Sequence, residues 1–318
     1  MEDRVMISIV APVYNVGPYL PNFIESVIGQ TFTEWELLLV DDGSTDESGI
    51  ICDDYALKDK RIKVIHKPNG GVSSARNAGL KEMKGEWVIM PDPDDELPLD
   101  CLETLNNNVS YEIDLVSASY VLYKNGELMN PSKQSVDMEL SRDEFVSLMG
   151  IIPQPRNLDR RCCNKLFRAS IIKENGIYFP EDLHFREDIL YNYLFLNRVA
   201  RRIRCISYNM YIYYRRNSGA AISNQMSYTP KSGGLFIAMT RCYDILEQMD
   251  APRETKARMR DEMYDTYRAV IRLIDRSGVA EREKRVYTST LNQYFSIKDL
   301  CRLFLKRLYQ RFKRRVFK

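Results

Sequence analysis

The first hundred residues alternate apolar runs with helix-spaced segments. Val5 to Val13 (VMISIVAPV) is a continuous, β-rich apolar run, the pattern of a central strand covered on both faces. Tyr14-Asn15-Val16-Gly17-Pro18 reads as a turn, after which Leu20, Phe23, Ile24, Val27 and Ile28 recur at helical spacing. Trp35 to Val40 is a second buried strand, ending in Asp41-Asp42-Gly43-Ser44-Thr45-Asp46. Ser44 or Thr45 is placed to cap a helix carrying Ile50, Ile51 and Tyr55. Ile62 to His66 is strand three, Asn69-Gly70-Gly71 a turn, Val72 to Met83 a small-residue helix and Trp87 to Met90 strand four. This β-α-β-α-β-α-β order predicts an α/β fold, a mostly parallel sheet with helices on both faces. Ligands of such sheets bind beyond the carboxyl ends of the strands, where the polar turns fall.

The fourth strand ends in Pro91-Asp92-Pro93-Asp94-Asp95. The prolines bar regular pairing, so three carboxylates sit on a stiff turn. Acids this close repel one another unless a cation lies between them. Hard oxygen ligands on a rigid loop suit Mg²⁺ or Mn²⁺ with a substrate phosphate completing the shell. Read alone, the turn is as well explained by solvated acids.

Further along, Asp114 to Tyr123 reads as a strand and Lys124-Asn125-Gly126-Glu127 as a hairpin returning through Leu128 and Met129. Ser141 and Glu144 form a capping box on an amphipathic helix. Pro153-Gln154-Pro155 marks a loop, expected to face an acceptor, and Ile203 to Tyr214 an aromatic-rich closing strand. From Gly234 the pattern is helical: Phe236, Met239, Tyr243 and Leu246, then Met259, Met263, Tyr267, Val270 and Ile274.

Composition narrows the class. At 318 residues, 44% hydrophobic and 28% charged, the chain is an ordinary globular protein with room for a large domain and an appendage. The net charge of +2 hides an asymmetry: Lys298 to Lys318 holds nine Lys/Arg against one acid, leaving 37 basic and 43 acidic residues elsewhere. Leu300, Phe304, Leu308, Phe312 and Val316 recur every four residues in that tail, with Lys306, Gln310, Lys313 and Arg314 largely opposite. That is the pattern of a basic amphipathic helix lying on an anionic membrane, with docking on the acidic body as the alternative. The acidic body argues against nucleic acid as a partner. Seven scattered cysteines without metal-ligand spacing fit a reducing compartment. No run reaches the roughly 20 apolar residues of a spanning helix, and no apolar leader opens the chain. The expected location is therefore the cytoplasm, peripheral on the cytoplasmic face of the plasma membrane.

Four motifs fall in order at the strand ends: Ser8-Ile-Val-Ala-Pro-Val-Tyr-Asn15, Val40-Asp-Asp-Gly-Ser-Thr-Asp46, Asn69-Gly-Gly-Val-Ser-Ser-Ala-Arg-Asn-Ala-Gly79 and Asp92-x-Asp94-Asp95. They resemble the family-two inverting glycosyltransferases of the GT-A fold, the type that builds bacterial surface polysaccharides. Asn164-Lys-Leu-Phe167 and the Glu187-Asp188 pair resemble the second half of the same family. The resemblance implies that Pro12, Tyr14 and Asn15 line a nucleotide pocket and that Asp41 or Asp42 accepts a hydrogen bond from the base, usually uracil. It implies Arg76 and Asn77 near the sugar-phosphate, and Asp92, Asp94 and Asp95 around a Mn²⁺ or Mg²⁺ ion on the diphosphate. Asp188, with Glu187 next, would be the base that deprotonates the acceptor, and a loop with Arg215 and Arg216 would fold over the diphosphate. Two departures stand out: the family usually has Ser where this chain has Pro93, and often Gly where it has Arg186. The implied partners are a nucleotide-sugar donor, a UDP-sugar in the first instance, and a glycan or lipid-linked oligosaccharide acceptor; the oligomeric state is left open. The expected organisation is a GT-A domain over 1–233, with a nucleotide-binding half over about 1–110 and an acceptor half over about 111–233, followed by a helical region over 234–318. Two rival readings keep the fold but change the activity: an idle nucleotide-binding or membrane-scaffold protein, and a sugar nucleotidyltransferase. The second would be expected to show a lysine-containing Gly-rich loop after the first strand, which Val13 to Gly17 lacks.

Overall fold

Residues on alternate sides of each strand enter two different cores, which explains why the first strands are apolar throughout. The protein is described by a computed structural model over residues 5–129, 135–149, 156–215, 230–277 and 281–303. Strands β1 (Ile7–Val13), β2 (Trp35–Asp41), β3 (Ile62–His66) and β4 (Trp87–Ile89) are parallel. They are joined by α1 (Leu20–Ile28), α2 (Ser48–Lys58) and α3 (Val72–Glu82). Ile7, Ile9, Ala11 and Val13 pack with Leu20 and Phe23 of α1 and with Leu102 and Leu105 of α4 (Cys101–Asn106). Val10, Leu38 and Val88 point the other way, towards Leu80 of α3 and a second core. Neither face of β1, β2 and β4 meets water, so alternation disappears from their sequence, whereas β3 at the sheet edge is partly exposed.

The sheet continues through β5 (Ile113–Lys124), the short β6 (Glu127–Leu128), β7 (Met138–Leu140), β8 (Lys165–Arg168) and β9 (Arg202–Arg215). Its order is β3-β2-β1-β4-β8-β5-β9-β7, with β6 on β5. β8 runs antiparallel between β4 and β5, whereas β5 and β9 are parallel. Because β1 has β2 on one side and β4 on the other, the order reverses there. The turns after β1 and β4 leave the sheet at this point, the position where open α/β sheets bind ligands.

The hairpin and capping box stand as expected. Asn125 and Gly126 both have positive φ, 53° and 80°, the requirement of a two-residue hairpin turn. Ser141 and Glu144 form their reciprocal bonds on α5 (Arg142–Leu148). Two expectations fail. Neither Ser44 nor Thr45 caps α2, whose cap position is Glu47 without a side-chain bond; both side chains are drawn instead to Asn15 on the neighbouring turn. Ile50 is 67% exposed, and the buried side chains of α2 are Ser48 and Cys52. The expected closing strand, β9, is interior, with β7 outside it. All seven cysteines are free thiols.

Helices α6 (Ala169–Asn175) and α7 (Glu187–Leu196) cover the second core. The C-terminal helices α8 (Pro230–Gln248), α9 (Arg253–Ser277) and α10 (Glu281–Tyr294) extend it without a gap at residue 233. Phe236 and Met239 of α8 and Met263 of α9 are fully buried in the same cluster as Leu190 and Phe195 of α7. The final helical segment, 297–303, starts with a box between Ser296 and Asp299. Its Leu300 and Leu303 rest on this core, so the first turns of the basic tail dock on the body. Residues 304–318, the rest of that expected amphipathic helix, lie outside the described residues. Among the described residues no helix is long and apolar enough to cross a membrane.

Helix α3 reaches β1 at one point of unusually close approach. A Cβ on Gly79 would lie 2.4 Å from Cγ1 of Val10, itself wholly buried. Gly79→Ala therefore has to push α3 off the sheet, and we expect a loss of about 1–3 kcal/mol in urea unfolding. An unchanged midpoint and slope would show that the helix can lift without cost.

Candidate active site

The turns after β1 and β2 are stitched to each other. Asn15, held at φ 51°, accepts from the backbone N–H of Thr45 at 2.8 Å and of Asp46 at 3.3 Å, and its own N–H donates to Ser44 Oγ at 3.2 Å. The Val16 N–H donates to Ser48 Oγ and that of Gly17 to Asp46. Pro12 is half-buried behind this seam and Tyr14 stands 48% exposed above it. The carboxylates expected to meet a base are both buried and occupied by the chain itself. Asp41 accepts from the Ser44 N–H at 2.9 Å and bonds His66 Nδ1 at 2.9 Å. Asp42 accepts from the N–H groups of Gly70 and Gly71 at 2.9 and 2.7 Å and from Lys67 Nζ. Asp41 and Asp53 raise the His66 pKa above its usual value, so the ring holds its proton more tightly.

At the acid turn the three carboxylates part company. The Asp95 N–H closes the turn on the Asp92 carbonyl at 3.2 Å. Asp95 then points inward, 1% exposed, accepting from the Tyr211 hydroxyl and from the Tyr214 N–H at 2.8 Å. Burial, with Asp94 and Asp92 adding repulsion, pushes its carboxyl up to about 8. Both oxygens of Asp95, expected beside the cation with Asp92 and Asp94, accept from β9. Asp92 and Asp94 keep partial exposure. Two carboxylates, with substrate phosphate to follow, are what a small divalent cation ordinarily takes from a protein. Among the described residues no three acid, His or Cys side chains cluster closely enough to hold a metal unaided.

Arg76 joins this turn to the second half of the chain. Its guanidinium, 4% exposed, bonds Asp92 Oδ1 at 2.6 Å and reaches Glu187 Oε1 at 3.5 Å, lying over the Phe179 ring at 5.1 Å. Asn77, expected near the sugar-phosphate, latches a loop. Its Nδ2 donates to the Phe179 carbonyl and to Glu181 at 2.9 Å each, and its Oδ1 accepts from the Phe179 N–H at 2.7 Å. The latched loop delivers Glu187 and Asp188 at the first turn of α7. Loss of water, and then Glu187 beside it, raise the Asp188 carboxyl to about 6 against the opposing charge of Arg76. Cys162 lies within the same field: burial raises its thiol, Arg76 opposes, and Asp188, Asp92 and Glu187 add to the rise. Arg215 ends β9 exposed, and Arg216 lies outside the described residues.

Asp92, Arg76, Glu187 and Asp188 thus form one connected group drawn from all four motifs' end of the sheet and from α7. The family model of Glycosyl transferase family 2 matches residues 8–176, more than half of the chain, including β1 to β4 and the turns that follow them. The chain belongs to that family. It is 32% identical over 212 residues to the uncharacterized glycosyltransferase EpsJ of Bacillus subtilis, a match covering 65% of this chain and 60% of that one. To glycosyltransferase GlyG of Streptococcus pneumoniae it is 30% identical over 236 residues, 69% of this chain and 74% of the relative. A crystal structure of S. aureus TarS 1–349 in complex with UDP-GlcNAc shares the fold, with a TM-score of 0.66 at 24% identity over 83% of this chain and 72% of the other.

One departure from the family pattern has a geometric reading here. Arg186, where many family-2 members carry Gly, takes the left-handed φ of 59° that favours glycine. Its guanidinium pairs with Glu262 of α9 at 3.0 Å, and Arg160 pairs with the other oxygen of Glu262 at 2.6 Å. Asn192, buried on α7, donates to the Arg160 carbonyl at 2.6 Å and to that of Asp188 at 3.1 Å. Sequence reading missed Tyr211, Asn192 and Glu262. Alternate aromatic positions along β9 hinted at the first; nothing local marks the other two, because their partners come from distant segments.

Proposed function

We propose that the protein is a metal-dependent inverting glycosyltransferase, moving a sugar from a nucleotide-diphosphate sugar, a UDP-sugar, to a hydroxyl of a glycan or lipid-linked oligosaccharide in the assembly of a bacterial surface polysaccharide. The observation that carries this reading is the buried Arg76 bridge, which sets the acid turn beside a carboxylate of raised pKa. The TarS structures in complex with UDP and with UDP-GlcNAc support the choice of donor. In the transfer, the acceptor oxygen forms its bond to the anomeric carbon as the bond to the diphosphate oxygen breaks, and the electron pair leaves with the diphosphate. Asp188 takes the acceptor's hydroxyl proton as that bond forms. A carboxylate whose pKa lies nearer to neutrality than usual is still ionised at pH 7 and is a stronger base. Asp94 and Asp92 would hold Mn²⁺ or Mg²⁺, which supplies positive charge to the leaving diphosphate when bound.

Asp188→Asn should keep UDP affinity and lose transfer by two orders of magnitude or more. In the wild type, kcat should fall as pH drops through about 6, because protonation removes the base. A collapse of UDP affinity in Asp188→Asn would assign the residue to donor binding instead.

For the cation, Mn²⁺ should increase the stabilisation that UDP gives the wild type in thermal unfolding. Asp94→Asn should lose that increase while melting normally without ligand. Full activity in excess chelator would overturn the metal requirement.

We further infer that residues 298–318 bring the site to an anionic membrane surface on the cytoplasmic side, a reading supported by nine basic residues there and by the bulky apolar repeat. Each basic residue near such a surface contributes about 1 kcal/mol. The full chain should pellet with anionic vesicles in a salt-sensitive manner, and a chain ending at Ser296 should not. Equal pelleting of the two would leave docking on the body as the tail's role.

A further inference from the structure

The Asn164-Lys-Leu-Phe167 motif has a local purpose that the transfer reaction leaves unused. Lys165 is fully buried, and its ammonium donates to the carbonyls of Asp159 at 2.9 Å and Arg161, and to Asn164 Oδ1 at 3.0 Å. Asn164 is in turn bonded to the backbone of Ala118 on β5, both as donor at 2.7 Å and through its carbonyl at 3.0 Å. A lysine taken wholly out of water is costly unless its donors are satisfied. Here they are spent on fixing one loop, residues 159–164, to the sheet.

That loop presents Arg161. Its guanidinium lies 4.7 Å from the Tyr120 ring and 5.5 Å from the Tyr213 ring, between β5 and β9. Two rings hold the plane of the fork while 45% of the side chain's surface stays open. Its carboxylate partner among the described residues, Asp159, is 3.7 Å away, well beyond the 2.7–2.9 Å of a charge-assisted hydrogen bond. The fork is thus oriented by the chain but weakly matched by it. Its surroundings belong to the active site. The next residues are Cys162 and Cys163, whose buried thiols feel Asp92, and Asp159 adds to the field at Asp188. The same β9 segment carries Tyr211 and Tyr214, the partners of Asp95. Asp92, Asp94, Glu187 and Asp188 make this edge repellent to anions, so an open, oriented arginine beside them is informative about what must enter.

We propose that Arg161, framed by Tyr120 and Tyr213, is an acceptor subsite for an anionic group, a phosphate or a carboxylate carried by the acceptor chain near the hydroxyl that receives the sugar. The proposal rests on the glycosyltransferase reading and adds the acceptor's chemical class to it. Guanidinium geometry matches both oxyanions through paired N–H donors, and the flanking rings suit the apolar face of a sugar or polyol.

The test is calorimetric titration of the full chain, saturated with UDP and Mn²⁺ so that the donor's phosphate positions are filled. Glycerol 3-phosphate is compared with glycerol, and glucuronate with glucose. We expect at least one anion to bind about tenfold or more tightly than its neutral counterpart, the size of one charge-assisted hydrogen bond. Preference for glycerol 3-phosphate points to a phosphodiester acceptor, and preference for glucuronate to an acidic sugar. Arg161→Gln should erase the preference with UDP affinity unchanged, and Arg161→Lys, which keeps the charge but loses the fork, should retain part of it. Equal binding of charged and neutral probes, or a preference surviving in Arg161→Gln, overturns the proposal. So does a drop in UDP affinity in either variant, which would move Arg161 into the donor pocket. UDP binding to the wild type is read separately, so a failure of the donor reading shows itself before any anion is added.

Discussion

One buried guanidinium decides how the two halves of this chain meet. Arg76 starts on α3, is 4% exposed, and touches an acid from each half, Asp92 after β4 and Glu187 on α7. A charge so far from water is tolerated only with its partners in place, and losing one partner of such a pair costs about 3–5 kcal/mol. The requirement is mutual. Glu187 and Asp188 are like charges side by side, and the cation opposite them offsets part of the rise that burial and Glu187 impose on Asp188. The spacing between the acid turn and the first turn of α7 is therefore set by a side chain that lies between them.

The acid turn obeys the same economy. Three carboxylates within four residues cannot all face one another as charges. The chain resolves this by sending Asp95 into β9, where a tyrosine hydroxyl and a backbone N–H receive it, and by giving one oxygen of Asp92 to Arg76. Prolines at 91 and 93 leave little backbone freedom to exchange these roles. Division of labour among similar residues is achieved by direction, not by chemical difference.

How much of this the sequence disclosed depends on the range of the forces involved. Ser141 and Glu144 are three residues apart and Asn125-Gly126 is a contiguous turn, so both were readable from local rules. The strands were readable because two covered faces demand uninterrupted apolar side chains. Ser44 and Thr45 looked like caps because their true partner, Asn15, lies some thirty residues earlier on a turn made adjacent only by the sheet. The inward turn of Asp95 had no local sign because Tyr211 is 116 residues away. The family resemblance named the candidate residues but could not say which oxygens would be left over once the protein had satisfied itself.

Arg186 gives the C-terminal helices a different standing. A residue with a side chain holds a left-handed backbone at some strain, and its guanidinium is anchored by Glu262, seventy-six residues downstream. The turn before α7 and the helical region are thus tied together by an ion pair as well as by their shared core. Recombination that swaps the tail between family members would have to carry the matching residue at position 186 along with it, so the pair 186 and 262 is a natural seam along which chimaeras of this fold succeed or fail.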